Sequence, residues 1–356
     1  MIETSYKNMR IFIQKSNHKR LVIVGLSILT AILAVIAINA GAANTNPLQV
    51  LRALLGLEGG KAIIVIWNIR LPRVLSAAIA GAGLAVAGAV MQTNLRNPLA
   101  SPTTLGISNA AAFGANLAIV FFGAGTIHST VHDAVFIANP YSVTFSAFVF
   151  SMLAMLLILN LARLRGFSPE SVVLAGVAFG SLFSAASTLV QYFAQDVQVA
   201  AMVFWTFGDL GRISWKEASL LTILVLGCYY YFLFNRWNYN ALDSGEDVAK
   251  SLGVNVDQIR FRSMVAASLI TAVSVSFMGI IGFIGLIAPH MMRRVLGVDH
   301  RFLVPASAVT GSALLLLSDT VARTIISPVV LPVGAITSFF GAPLFLYLLM
   351  KGSSRR

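Results

Sequence analysis

Apolar runs long enough to cross a bilayer recur along the chain, at Leu21–Ala40, Leu71–Met91, Leu105–Phe122, Tyr141–Leu161, Val172–Ala194, Ala218–Phe234, Phe302–Ala322 and Leu331–Met350. A hydrocarbon core of about 30 Å takes about 20 apolar residues in helical form. The runs are continuous and do not alternate apolar with polar positions, which predicts helices and excludes barrel strands. The pattern therefore predicts an all-α, polytopic membrane protein: a cytoplasmic segment 1–20, a transmembrane domain 21–350 with an inner loop at 235–262, and a cytoplasmic tail 351–356. Basic residues precede Leu21–Ala40 as they would a signal peptide, but the length of the run favours a retained first span.

A further run, Met264–Met292, is too long for one upright span and short for two. Loop charge decides between them. Two short spans give ten helices with both termini inside, and 18 of the 25 Lys and Arg residues then fall on the inner side against 7 outside or in outer helix ends. One span gives 13 against 12. The positive-inside rule favours ten.

Composition agrees: the chain is 57% hydrophobic and 11% charged, with a mean hydropathy of +0.83. Its net charge of +12 is mostly the cytoplasmic collar, so it does not argue for a nucleic-acid partner. The single Cys228 excludes an intramolecular disulfide. Gly60-Lys61-Ala62 is the nearest approach to a phosphate-binding loop, but Leu55 stands where the first glycine belongs and no hydroxyl follows the lysine. Hydrolysis of ATP by this chain alone is excluded on that ground. His128, His132 and Asp133 have helical metal-ligand spacing in an outer loop, without the glutamate of a zinc peptidase, and read as surface residues. No metal site is expected, and no nucleophile elbow is present.

The polar residues that interrupt the apolar pattern carry the functional information. Ser181, Ser184, Thr188 and Gln191 recur at helical spacing and form one polar stripe, facing either a watery path or other helices. Gly176 and Gly180 on the same run permit close helix contact. Asp319 lies deepest of the acids, where it serves cation coupling or pairs with Arg323 one turn on. Arg70 and Arg73 stand on the side that basic residues avoid, where they meet an acidic partner or snorkel to the headgroups. In the inner loop Ser244 is expected to cap a short helix that Gly253 ends, with Val248 and Leu252 on an apolar face beside Ala249. Asn255 is expected to cap the next helix.

The order of several motifs then closely resembles the permeases of the iron-siderophore and cobalamin (FecCD-type) ABC importer family. They are Ile69-Arg70-Leu71-Pro72-Arg73, Gly88-Ala89-Val90-Met91-Gln92, Arg96-Asn97-Pro98-Leu99-Ala100-Ser101-Pro102 and Leu105-Gly106. Further on come Ser251-Leu252-Gly253, Gly282-Phe283-Ile284-Gly285-Leu286, Ala288-Pro289-His290, Asp299-His300-Arg301, Asp319 to Arg323, Leu331-Pro332-Val333-Gly334 and Gly341-Ala342-Pro343. The resemblance covers about residues 20 to 350.

It implies the type II ABC importer permease architecture, with ten transmembrane helices in each of two permease subunits, identical or related. It also implies two cytoplasmic ATPase subunits that hold ATP and Mg, an extracytoplasmic substrate-binding protein, and no cofactor in this chain. The fifth and tenth helices would line the path, which gives the Ser181–Gln191 stripe its role. Ser168, Pro169 and Glu170 would fall at the cytoplasmic gate, and Ser244, Val248, Ala249, Leu252 and Gly253 on the helices that couple to the ATPase. Arg70, Arg73 and Arg323 would dock the binding protein. The expected cargo is an iron chelate, a ferric siderophore first, with haem or cobalamin as the alternative, carried across a prokaryotic inner membrane. A cation-coupled secondary transporter and a membrane-embedded enzyme are the readings from other classes.

Overall fold

The computed structural model describes residues 2–41, 47–57, 61–122, 125–127, 135–137, 139–164 and 166–353. His128, His132, Asp133 and the end of the tail, 354–356, lie outside them. In chain order the helices are α1 (Ile2–Asn39), α2 (Pro47–Leu54), α3 (Lys61–Ile64), α4 (Leu71–Asn94), α5 (Ile107–Phe121), α6 (Pro140–Leu164), α7 (Pro169–Phe193) and α8 (Asp196–Thr206). They continue as α9 (Trp215–Phe234), α10 (Arg236–Ser244), α11 (Glu246–Ser251), α12 (Val256–Met278), α13 (Ile284–Leu296), α14 (His300–Thr324) and α15 (Val333–Ser353). A π-helical segment, Val65–Arg70, leads directly into α4. Strands β1 (Gly125–Ile127) and β2 (Val135–Ile137) pair antiparallel, Thr126 opposite Phe136.

Seven helices among the described residues are long and apolar enough to cross a membrane: Ser16–Asn39, Val65–Asn94, Pro140–Leu164, Pro169–Phe193, Trp215–Phe234, Val256–Met278 and His300–Thr324. Ile107–Phe121 and Val333–Leu348 are apolar but shorter. At 1.5 Å per residue, the 15-residue α5 reaches only about 22 Å. Its approach is completed by the loop before it, where Ser101 and Thr104 satisfy one another's side chains and backbone.

The run Met264–Met292 is divided between α12 and α13, of which α12 alone is long and apolar enough to cross a membrane. Gly279 ends α12 with φ +77, and Phe283 holds a left-handed conformation where α13 begins. Exposed backbone of this kind is not tolerated in lipid. Here the break is packed against other backbone: a Cβ on Gly208 would lie 2.7 Å from the Ile280 carbonyl oxygen, and one on Gly334 would also strike it. The Asp209 N–H donates to the Met278 carbonyl at 2.7 Å.

α4 is the centre of the molecule, with α14, α12, α13 and α9 around it. Water is not available to drive such helices together, so close backbone approach and dispersion must hold them. Glycines supply the approach: a Cβ on Gly81 would run into the Gly311 carbonyl of α14, and one on Gly88 into the Gly285 carbonyl of α13. α5 is held between α6 and α7. The Gly176–Gly180 pair accepts the Leu105–Gly106 turn, with a Cβ on Gly176 only 3.0 Å from the Leu105 Cα. By contrast α1 leaves Leu21, Val24, Ile28, Ile32 and Val35 exposed, the face a helix turns to lipid.

α1 runs on from Ile2 through the first apolar span, Ser16–Asn39. α8, missing from the apolar pattern, is set by a capping box between Gln195 and Gln198.

Gly88→Val is expected to prevent α13 from seating on α4, with loss of the monodisperse species on size-exclusion chromatography in detergent. Gly25→Val, which meets nothing within 4 Å, is expected to leave the elution profile unchanged.

Candidate functional site

One end of the bundle is organised by one carboxylate. Asp319 on α14 is completely buried, and each of its oxygens has an arginine. Arg73 Nε donates to Oδ1 at 2.9 Å and its Nη2 lies 2.8 Å from the same atom. Arg323 Nε donates to Oδ2 at 3.0 Å. The expected pairing of Asp319 with Arg323 is therefore present, and Arg73 makes it a triad. Arg323 also donates to the carbonyls of Ala40 at 2.7 Å and Ala37 at 3.0 Å, and Arg70 to those of Ile38 at 2.8 Å and Asn39 at 3.2 Å. These are carbonyls that the C-terminus of α1 leaves without helical partners.

Arg70, Arg73 and Arg323 are only 4%, 7% and 7% exposed, and their guanidinium groups turn to Asp319 and to the carbonyls at the end of α1. Pro72 lies in the first turn of α4, and Arg73 after it turns to Asp319, while Arg70 and Arg323 take the α1 carbonyls. Asp209, 3.7 Å from Arg73, extends the network to the loop before α9. Both Asp319 oxygens are occupied, which removes the geometric basis for a cation-coupling carboxylate.

Midway along the bundle, an open groove of about 540 Å³ follows α7. Thr103, Thr104, Asn109, Ser181, Ser184 and Thr188 supply its polar lining. Ser181, Ser184 and Thr188 are exposed, and Gln191 is half-buried outside the groove. Thr188 donates to the Ser184 carbonyl at 3.1 Å, so its proton is used within the helix while its oxygen still faces the groove. Asn109 donates to the Gly180 carbonyl at 3.0 Å and fixes α5 to the stripe.

The opposite end places the predicted coupling and gate segments close together, joined through Arg260. Ser168 caps α7, accepting from the Ser171 N–H at 3.2 Å, with Pro169 at its first position and Glu170 exposed. Ser244 does not cap a helix: it is the last residue of α10, and its hydroxyl donates back to the Asn240 carbonyl at 3.2 Å. Gly245, at φ +130, makes the corner instead, a conformation closed to serine. Gly253, at φ +80, closes α11 as expected, and Asn255 caps α12 by accepting from Gln258. Val248 and Leu252 are 46% and 68% exposed while Ala249 is buried, so the apolar face is split between outside and inside.

Arg260 was legible only as an inner-side basic residue. It is 2% exposed and donates to the carbonyls of Phe167 at 2.8 Å and Asn94 at 3.2 Å and to the Glu246 carboxylate at 3.2 Å. Its signal in the sequence was its helical spacing from Val256, Ser263 and Ala267, which marks the buried face. Burial works against a charged Glu246, but hydrogen bonds from Lys250 and Arg260 hold its pKa below the ordinary glutamate value. A second inner cluster joins Asp243, His300 and Thr93, with His300 Nε2 3.1 Å from the carboxylate and 3.0 Å from the hydroxyl. Among the described residues no group of His, Cys, Asp and Glu is arranged to hold a metal ion.

The fold is a many-helix membrane bundle with a polar groove along one exposed helix, and the comparisons give its class and family. The chain belongs to the FecCD transport family, whose profile matches residues 29–351. A protein of Methanocaldococcus jannaschii named as a candidate ABC transporter permease is 56% identical over 303 residues, 85% of this chain and 86% of that one. The hemin transport system permease protein of Yersinia pestis is 37% identical over 339 residues, 95% of this chain and 97% of its own. The Fe(3+)-citrate import system permease protein of Bacillus subtilis is 36% identical over 339 residues, 94% and 96% respectively. Among solved structures, an inward-facing transporter described as a candidate of the metal-chelate ABC type aligns with a TM-score of 0.79 at 31% identity, over 93% of this chain and 99% of that one.

Asp319→Leu strands two buried guanidinium groups and is expected to cost about 3–5 kcal/mol, read as a fall in the thermal unfolding midpoint in detergent. Adding Arg73→Met is expected to recover part of that loss, whereas adding Arg323→Met is not, because the Ala37 and Ala40 carbonyls then lose their donor.

Proposed function

We propose that this chain is the membrane permease of an ATP-driven importer whose cargo is an iron chelate, a ferric siderophore in the first place. The observation that carries the reading is the end-to-end correspondence with permeases named for hemin and Fe(3+)-citrate. The hemin-named relative gives haem the stronger claim as the alternative cargo, with cobalamin behind it.

In this reading the bundle crosses the inner membrane of a prokaryote ten times with both termini inside: α1, α4, α5, α6, α7, α9, α12, α13, α14 and α15 are the crossings. Two such chains, identical or related, meet along a central path lined by α7 and α15. Ser181, Ser184 and Thr188 then offer hydroxyls to the coordinating groups of a passing chelate, with Gln191 beyond them. Ser168, Pro169 and Glu170 stand at the inner mouth. Val248 and Leu252 are free to enter an apolar groove on a cytoplasmic ATPase, while Ala249 and Gly253 shape the helix that carries them. ATP and Mg belong to that ATPase. A binding protein delivers cargo to the outer rim. Arg70, Arg73 and Arg323 serve that docking by holding the rim in register, since direct contact would require them to leave Asp319 and the α1 carbonyls.

The test is uptake by proteoliposomes holding the permease, its ATPase and its binding protein, offered ferrichrome, haemin and cyanocobalamin in turn. ATP-dependent accumulation of ferrichrome is the expected result. Preference for haemin or cyanocobalamin moves the cargo to the alternatives, and accumulation driven by an ion gradient without ATP overturns the importer reading.

A further inference from the structure

The cytoplasmic end holds a buried charge that neither the polar stripe nor the outer triad explains. Arg260 touches three segments distant in sequence: the end of α4 through the Asn94 carbonyl, the turn before α7 through the Phe167 carbonyl, and the first residue of α11 through Glu246. A guanidinium is planar, so its donors share one rigid fork and cannot rotate apart. With 2% of the residue exposed, water cannot replace a bond that is lost.

The turn it holds is a constrained one. Phe167 is buried with φ +54, a conformation disfavoured for a side chain of its size. The Arg260 guanidinium also faces the Phe167 ring at 5.7 Å. Beside it, the Arg163 guanidinium stacks 3.7 Å from the Phe261 ring, a second tie between the end of α6 and α12. On the other side, α11 turns Val248 and Leu252 outward and reaches the interior through Ala249 and the Glu246–Arg260 pair.

We propose that Arg260 is a positioning residue that links α11 to the turn opening α7, so that displacement of α11 is delivered through Glu246 and Arg260 to Phe167 and hence to Ser168–Glu170. The inference rests on the permease reading above. It adds a specific route by which force on the outward face of α11 reaches the helix carrying the polar stripe. Lys250 also pairs with Glu246, at 3.1 Å, but it is exposed and ties α11 only to itself.

The test uses the reconstituted complex of permease, ATPase and binding protein, with the cargo that accumulates in the uptake assay. Uptake per ATP hydrolysed is compared for the unmutated chain, Glu246→Gln, Arg260→Lys and Lys250→Gln. Glu246→Gln and Arg260→Lys are expected to lower the ratio by about five-fold or more, with ATP hydrolysis and the assembled complex retained. Lys250→Gln is expected to leave it unchanged. A ratio unchanged in Glu246→Gln, or lowered equally by Lys250→Gln, overturns the link. So does a proportional fall in uptake and hydrolysis, which is what a merely structural role produces. Uptake by the unmutated complex that needs no ATP overturns the permease reading itself, and this link with it.

Discussion

A backbone carbonyl at a helix end has no helical donor, and in or near lipid it has little water to turn to. Much of the polar architecture here answers that constraint with arginine, whose five N–H groups spread over several acceptors at once. Arg70 and Arg323 take the last carbonyls of α1, and Arg260 takes those of Asn94 and Phe167. Arg212 takes the Phe204 carbonyl in the last turn of α8. The carboxylates are subordinate to this arrangement. Asp319 and Glu246 lie where they balance guanidinium groups already held by carbonyls, which lowers the cost of burying the charge.

The same constraint separates what sequence reasoning could see from what it could not. The long apolar runs needed only composition, because a helix that crosses lipid must be apolar over most of its length. A break within Met264–Met292 was legible from a run too long for one upright span, while the side on which Arg293 and Arg294 lie rests on loop charge alone. The aim of Arg70 and Arg73 was not. A basic residue at a helix end looks identical whether it points to headgroups, to a partner or to the neighbouring helix, and only the position of the Ile38 and Asn39 carbonyls decides. Ser244 failed for a related reason: an acceptable cap was present, but the chain reversal between α10 and α11 needed the positive φ of Gly245. Arg260 was counted with its neighbours Arg262 and Arg236, although its spacing from Val256 and Ala267 already set it on the buried face.

Glycine packing and arginine bonding together define which parts of the bundle move as one. α4 and α14 cross where Gly81 and Gly311 bring their backbones together, and Ser312 donates to the Ala78 carbonyl beside that crossing. The outer end of the pair is pinned by Arg73 and Asp319, the inner end by Thr93 and His300. Two helices tied at both ends and in the middle have no low-cost sliding motion, because each tie would have to break in a medium that offers no replacement. α13 shares this rigidity through Gly88 and Gly285.

Motion must then fall on the elements with fewer such ties. α7 leaves Leu174, Val177, Leu182, Leu189 and Tyr192 exposed, and α15 leaves Phe339, Phe340 and Leu346 exposed. The polar and close-backbone anchors of α7 are the glycine contacts with Leu105–Gly106, the Asn109 bond to Gly180, and the turn at Phe167, and Phe183 adds apolar packing against Ala110, Phe113 and Ala154. The first two bind it to α5, a helix too short to fix it across the full bilayer. The third binds it to Arg260, which is anchored through Asn94 to the rigid α4. Under the link proposed through Arg260, disturbance of that turn would reach α7 at the end next to Phe167 and pass along the helix to the polar stripe beyond it.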